Sequence, residues 1–312
     1  MTTMARIVIT EIMDAQAVAR LQASHDVLYD PLLVDDAPRL LALAGAADAL
    51  IVRNRTQVRG ELLAALGKCR VIGRLGVGLD NIDVPGCETR GMAVIPASGA
   101  NALSVAEYVI ASTMVLLRGA FTSTADVVAG KWPRNALGNR GRETAGKTLG
   151  IIGFGSIGQL TGRLARALGM NVIAFDAMMD EDAPAFQDSG VKCTGLHDLI
   201  LQSDVVTLHV PLVDGTRGLF NAERIASMKP GAILINTSRG PILELEAVAA
   251  ALRSGQLGGA AVDVFDVEPL PATPALADCP NLLLTPHISG VSSESNDRVS
   301  TLIADKVLEA LR

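Results

Sequence analysis

Aromatic side chains are scarce in this sequence. Phe, Trp and Tyr together make up 3 % of its 312 residues, and the one tryptophan is Trp132. Any large core must therefore be built from Ala, Val, Leu and Ile. Hydrophobic residues reach 49 %, enough for two sizeable cores, and the length suits two domains. A basic excess is also missing. The formal charge is −6, with 33 acidic against 27 basic side chains, which argues against a nucleic-acid partner. A local basic pocket for an anionic substrate remains compatible with that balance. Cysteine is sparse: Cys69, Cys87, Cys193 and Cys279 form no C-x-x-C pair, and none sits at finger spacing from a second metal-type ligand. They read as reduced thiols of a cytoplasmic protein with no structural metal. No signal peptide is legible before the strand-like Arg6-Ile-Val-Ile-Thr. The longest apolar stretch follows Ala106, but Glu107 interrupts it and Arg118 ends it, so it reads as a buried helix and not a membrane span.

What is present is alternation. Short apolar runs near residues 6–10, 27–29, 49–52 and 71–73 alternate with helical spacing at 14–23, 38–46 and 62–66. Around residue 98 the pattern breaks into loop chemistry, Ser98-Gly-Ala-Asn101, followed by a long helix from about Ser104 to Leu117. A polar stretch containing Trp132-Pro133 runs to Gly146. Alternation then restarts, with strands expected at 148–153, 171–175, 203–208, 232–236, 259–264 and 281–284 and helices at 156–168 and 244–253. One amphipathic helix is expected over the last twenty residues. The expectation is α/β with two doubly wound parallel-sheet domains.

The second unit opens on Gly153-Phe-Gly155-Ser156-Ile157-Gly158, a G-x-G-x-x-G. Alone that pattern is weak, but here an apolar strand precedes it and Leu160, Leu164 and Leu168 continue it as a helix. Gly153 permits the tight turn, Gly155 lets a pyrophosphate approach the backbone, and Gly158 lets the helix pack on the strand. The helix N-terminus then offers N–H groups to the phosphates. Asp176 ends the next strand, where its carboxylate suits ribose hydroxyls and repels a 2′-phosphate. Ala177, Met178 and Met179 follow, with no basic side chain to receive one. The cofactor expected is NAD and not NADP.

Three polar residues follow strand-like runs in this unit: Arg239 after Ile233-Leu-Ile-Asn, Glu268 after Ala261-Val-Asp263-Val, and His287 after Leu284-Thr-Pro. Ligands bind at such strand ends in doubly wound sheets. Hydride transfer to a keto acid needs a proton donor that works near neutrality, a partner to orient it and a cation for the substrate. Histidine suits the first role. Glu268 could hydrogen-bond its ring and fix the tautomer, and Arg239 could clamp the carboxylate and polarise the keto oxygen. Singly each reads as a structural histidine, a loop or a surface turn; the case rests on their joint occurrence.

Several stretches resemble the D-isomer-specific 2-hydroxyacid dehydrogenases over nearly the whole chain. They are Arg74-Leu-Gly-Val-Gly-Leu-Asp80-Asn-Ile-Asp83, Ser104-Val-Ala-Glu107, the glycine signature, Leu208-His-Val-Pro-Leu212, Asn236-Thr-Ser-Arg239-Gly240 and the motifs around Glu268 and His287. The resemblance implies a flavodoxin-like substrate domain from both chain ends (1–98 plus 288–312) and an inserted Rossmann NAD domain (99–287). It implies that Arg239, Glu268 and His287 are catalytic. Cofactor contacts would fall at the three glycines, Ser156, Ile157, Asp176, His209, Val210, Pro211, Thr237, Asp263 and Gly290, with Asp263 facing the nicotinamide amide. Substrate would meet Arg53, Arg74, Val77, Gly78 and Asn101, the family's carboxylate loop being Gly76-Val77-Gly78. Family members usually pair as homodimers, here through the 101–146 segment. Ser289 departs from the glycine many members carry after the histidine.

Arg53, Arg55 and Arg74 crowd the strand ends of the first unit, which suggests a second anion on the substrate. Arg53 and Arg74 resemble positions of the phosphoglycerate branch, while Ile51-Val-Arg-Asn-Arg-Thr-Gln57 and Ser292-Ser-Glu-Ser-Asn-Asp-Arg298 are similar to the branch acting on 3-sulfolactate. Both acids stay open, and reduction of glyoxylate or hydroxypyruvate is the alternative with one carboxylate. A different class of reading, an NAD-sensing corepressor or scaffold, would predict unstructured tails and no need for three catalytic side chains.

Overall fold

The computed structural model describes residues 4–121 and 123–312; Met1 to Thr3 and Thr122 lie outside it. The chain divides into two compact units, Met1–Asn101 with Val291–Arg312, and Ala102–Gly290.

In the first unit the strands are β1 (Arg6–Ile9), β2 (Asp26–Tyr29), β3 (Ala49–Val52), β4 (Val71–Arg74) and β5 (Ala93–Pro96). They lie in the order β2-β1-β3-β4-β5, every pair parallel. Helices α1 (Ala15–Gln22), α2 (Ala37–Ala44), α3 (Gly60–Ala65) and α4 (Val84–Thr89) make the crossovers. This is the flavodoxin-like order. Central β3 is buried at all four positions, as a strand covered on both faces must be, and so reads as an unbroken apolar run. The terminal helix Ser293–Ala310 returns to this unit. Its stripe Val299, Ile303 and Val307 is buried at intervals of four. Gly73 in β4 makes room for it, since a Cβ there would lie 2.8 Å from Ile303 and 2.9 Å from Val307. Ile303 and Val307 are fully buried, each a gain of about 1.5–3 kcal/mol, which explains why the chain end belongs to the first unit.

The second unit opens with α5 (Ala102–Arg118), followed by α6 (Thr124–Val128) and α7 (Arg134–Arg140). Its sheet holds β6 (Thr148–Ile152), β7 (Asn171–Phe175), β8 (Lys192–Cys193), β9 (Val205–Leu208), β10 (Ala232–Asn236), β11 (Leu257–Val262) and β12 (Leu282–Leu284). The order β12-β11-β10-β9-β6-β7-β8 is the Rossmann arrangement with one further strand, all parallel. Helices α8 (Ser156–Ala167), α9 (Pro184–Ser189), α10 (Leu196–Gln202), α11 (Ala222–Ser227) and α12 (Leu245–Ser254) connect the strands. Two of the few aromatics, Phe154 in the turn after β6 and Phe186 on α9, stack with centroids 4.6 Å apart.

Several elements were illegible in the sequence. α4 and β5 were missed because Val-Pro-Gly-Cys-Glu-Thr carries no helical period and β5 is a four-residue edge strand. β8 has two residues, and α9, α10 and α11 have six or seven, too few to show a period. β11 starts two residues before the expected position because its opening Leu-Gly-Gly looks like a turn.

Candidate functional site

The glycine turn has the geometry its sequence implies. Gly153 follows β6 at φ +94°, and a Cβ on it would lie 2.6 Å from the His209 carbonyl oxygen. A Cβ on Gly158 would fall on the Gly153 carbonyl, so α8 can begin this close to the strand only with glycine there. Gly155 has nothing within 4 Å of the Cβ position, and Gly155 and Ser156 are exposed at the start of α8. Ile157 is half-buried behind them. Asp176 follows β7 and reaches back to the turn: its Oδ2 accepts from the Phe154 N–H at 2.8 Å and its Oδ1 from the Met178 N–H at 2.9 Å. Each oxygen retains a lone pair for a further donor. Opposite the turn, His209 follows β9, with Nε2 3.1 Å from the Thr207 hydroxyl. Desolvation pushes its imidazole down to about 3, which favours the neutral ring. Val210 and Pro211 continue that loop at partly and fully exposed positions.

Arg239, Glu268 and His287 follow β10, β11 and β12, three adjacent strands, at one edge of the sheet. Asn236 shapes the Arg239 turn: its Nδ2 donates to the Arg239 carbonyl at 3.0 Å and its Oδ1 accepts from the Ser238 N–H at 3.0 Å. Arg239 Nη1 donates to the Ser238 carbonyl at 2.6 Å. Gly240 packs against the backbone of Phe265 and Asp266, where a Cβ would collide. The arginine turn is thereby fastened to the loop that carries Glu268. That carboxylate accepts from the Phe265 N–H at 2.9 Å and, through Oε2, lies 2.7 Å from His287 Nδ1. An ionised carboxylate only accepts, so Nδ1 donates in this contact and Nε2 takes no part in it. His287 has φ +55°, a left-handed backbone uncommon outside glycine, and its N–H is shared between the carbonyls of Asp263 at 2.8 Å and Thr285 at 3.0 Å.

Asp263 ties the histidine loop to the end of β11. Its side chain is fully buried, and its carboxylate grips the histidine loop. Oδ1 accepts from the Thr285 hydroxyl at 2.5 Å and the Ile288 N–H at 2.9 Å, and Oδ2 from the Ser289 N–H at 2.8 Å. Tyr108 on α5 extends the chain, its hydroxyl 2.7 Å from that of Thr285. Sequence reasoning missed Tyr108 and Thr285 because α5 reads as a plain apolar helix. Ser289 is buried and fits this loop, and Gly290 closes it, half-buried.

In the first unit, Arg74 ends β4 and its guanidinium lies over Gly76, where a Cβ would fall on it. The arginine therefore stands against the loop carrying the exposed Val77 and the half-buried Gly78. Arg53 follows β3, with Nη2 donating to Asn296 Oδ1 at 2.7 Å and Nη1 to the Ile12 carbonyl at 3.4 Å. Arg55 parts company with the other two: it is ion-paired to the Asp35 carboxylate, which raises its pKa, and points away as a surface brace. Asn101 has a buried Oδ1 with no partner among the described residues. Glu11, which sequence reasoning passed over, is buried at the end of β1 with its carboxylate against the backbone of the Arg53 loop. It could have been found by the strand-end rule that singled out Arg53.

Comparison with known proteins decides the family. The model of the "D-isomer specific 2-hydroxyacid dehydrogenase, NAD binding domain" matches residues 110–289. A protein named (S)-sulfolactate dehydrogenase from Chromohalobacter salexigens is 49 % identical over 308 residues, which is 99 % of each chain. The chain belongs to the D-isomer-specific 2-hydroxyacid dehydrogenases. A hydroxypyruvate reductase from Thermotoga maritima is 38 % identical over 87 % of each chain. The crystal structure of the TT0316 protein from Thermus thermophilus superposes with a TM-score of 0.86 at 31 % identity, covering 98 % of this chain and 96 % of that one.

As a member of this family the protein is an NAD-dependent oxidoreductase acting on small 2-hydroxy and 2-keto acids. Its residues fit the dinucleotide. The Gly155 face is open, the α8 N-terminus presents exposed N–H groups, and the buried Thr237 hydroxyl finds no partner among the described residues. A buried hydroxyl of this kind, close to Asn236, suits a polar group of the dinucleotide. No group of three His, Cys, Asp or Glu side chains suited to a metal occurs among the described residues, nor a helix long and apolar enough to cross a membrane.

Proposed function

We propose that this dehydrogenase interconverts a D-configured 2-hydroxy acid bearing a second anion at its far end and the matching 2-keto acid, with 3-sulfolactate as the foremost substrate. The observation that carries the reading is Arg53, a cation held in place by Glu11, Asn296 and Ile12 for which an acid with a single carboxylate has no use. The likeness to the sulfolactate dehydrogenase of C. salexigens supports the sulfonate over the phosphate of 3-phosphoglycerate. Sulfur outranks carboxyl in stereochemical priority, so (S)-sulfolactate has the spatial arrangement of a D-hydroxy acid, and the two labels agree.

In this reading Arg74, the Val77 and Gly78 backbone and Asn101 receive the carboxylate end. Arg239 polarises the keto oxygen, and His287, oriented by Glu268, passes a proton between Nε2 and that oxygen. The Gly153–Gly158 turn and Asp176 would hold the NADH that would supply the hydride for reduction. The test is initial rates of NADH oxidation with 3-sulfopyruvate, 3-phosphohydroxypyruvate, hydroxypyruvate and glyoxylate. A kcat/KM advantage of about a hundredfold for sulfopyruvate is expected, the scale reached when buried polar groups go unpaired with the wrong substrate. A preference for glyoxylate or hydroxypyruvate would make the enzyme a general short-chain keto-acid reductase.

The same reading makes the protein a cytoplasmic homodimer joined through residues 101–146. Phe121, Val128 and Trp132 support it: they are 66, 83 and 77 % exposed in the single chain, large apolar side chains close together in sequence. Because Trp132 is the one tryptophan, its emission should be blue-shifted in the native protein and move to the red on dilution through the dimer dissociation range. A sedimenting monomer with fully solvated emission at micromolar concentration would exclude this interface.

A further inference from the structure

Glu11 has no part in hydride or proton transfer, yet it is only 4 % exposed and carries a carboxylate into the first unit. Its Oε1 accepts from the backbone N–H groups of Arg53 at 2.9 Å and Thr56 at 3.0 Å. Its Oε2 accepts from those of Arg55 at 3.1 Å and Asn54 at 3.3 Å. Four consecutive N–H groups thus converge on one internal anion, the arrangement by which backbone nests bind phosphate or carboxylate ligands. Burial alone would raise the Glu11 carboxyl, but the N–H groups of Thr56, Arg53 and Arg55 outweigh it and hold it below the usual carboxylate range. The loop is tied on its other side as well. Asn81 Nδ2 donates to the Thr56 carbonyl at 2.7 Å, and the Thr56 and Thr10 hydroxyls lie 2.8 Å apart.

The effect is to set where Arg53 begins. Its side chain then crosses to the terminal helix, to Asn296, and borders a cavity of about 260 Å³ that Asp14, Ser293, Asp297 and Ser300 also line. Asp14 in that lining is occupied in capping α1, accepting from the Gln16 and Ala17 N–H groups. A long flexible side chain loses aim quickly when its backbone shifts, so the guanidinium direction depends on the carboxylate underneath it.

We propose that Glu11 is a positioning residue for substrate selectivity: by gathering the N–H groups of residues 53–56 it aims Arg53 at the distal anion of the acid. The inference rests on the distal-anion reading given above. Glu11 acts through Arg53 and touches no reacting atom.

The experiment is a double-mutant cycle of Glu11→Gln and Arg53→Ala, with kcat and KM measured separately for 3-sulfopyruvate and glyoxylate, beside thermal unfolding of each variant. The amide of Glu11→Gln keeps the size but turns an N–H₂ donor toward N–H donors, so the loop must shift. The expected result is a rise in KM for sulfopyruvate of about tenfold to a hundredfold beyond any rise for glyoxylate, the scale of a misplacement near 1 Å. That excess should vanish when Arg53 is already alanine. A Glu11→Gln enzyme that melts earlier but keeps the wild-type ratio of sulfopyruvate to glyoxylate KM overturns the inference, because a purely structural role predicts that. Should Glu11→Gln fail to fold, Glu11→Asp, which keeps the charge one methylene short of the nest, is read by the same two criteria. The two readings fail separately. If Arg53→Ala shows no selective loss, the distal-anion reading falls and the inference with it. If Arg53→Ala is selective and neither Glu11 variant is, the inference alone falls.

Discussion

Replacing His287 by alanine is expected to cut turnover by about 10²–10⁴-fold, the contribution of a positioned general acid or base, while NADH still binds. The geometry supports both halves of that expectation. Glu268 Oε2 takes Nδ1 at 2.7 Å, which leaves Nε2 as the nitrogen that can deliver a proton during reduction and accept it during oxidation. The loop itself is not held by the imidazole. It is held through the backbone, by the Asp263 carboxylate on the N–H groups of Ile288 and Ser289. Removing the ring therefore leaves the loop anchored, and nothing in the glycine turn or at Asp176 is touched. The left-handed backbone at residue 287 supplies a control. Asparagine tolerates that conformation better than alanine does, so His287→Asn should fold at least as well and show the same loss. NADH binding is read by fluorescence titration and turnover by steady-state rates. Turnover within tenfold of wild type in both variants would take the proton-transfer role away from this residue.

Arg239→Lys is expected to lower kcat/KM by about 10²–10³-fold, the magnitude of losing a preorganised donor to the oxygen where charge develops. The substitution keeps the charge and removes the planar fork. Lysine offers a compact, strongly hydrated ammonium in place of a planar guanidinium whose fork can span two acceptors at fixed angles. The turn fixes the fork: Asn236 holds the Arg239 carbonyl and Gly240 lies against the Phe265–Asp266 backbone. Part of the fork is already committed to the Ser238 carbonyl, which sets its plane. A lysine there has no equivalent restraint. The loss should fall on kcat as well as KM, because polarising the keto oxygen matters most in the transition state. A variant that loses only KM would mean that Arg239 binds the acid without assisting the chemistry. A variant within about threefold of wild type would remove it from the site altogether.

The elements that carry the candidate site residues were legible for a local reason. A strand buried on both faces must be an unbroken apolar run, and the polar residue that ends it stands at the sheet edge. That pattern marks Arg53, Arg74, Asp176, Arg239 and His287 in the sequence, and the glycine spacing marks the cofactor turn. Glu268 lies several residues beyond β11, and only its joint appearance with the other two singled it out. Short connecting helices and the edge strands β5 and β8 left no period long enough to read.

The amino-acid sequence by itself determined the two parallel α/β units, the glycine turn, the candidate trio Arg239, Glu268 and His287, and the family, because each depends on residue type at fixed local spacing. Only the tertiary structure decided which polar groups serve which neighbour. It turned Asp263 inward to hold the histidine loop, paired Arg55 with Asp35, and brought Glu11 beneath the backbone of Arg53 and Asn296 against its guanidinium. These are contacts between groups 20 to 243 residues apart. Their partners are chosen by the crossovers and the packing of the terminal helix on Gly73, and local spacing carries no record of either.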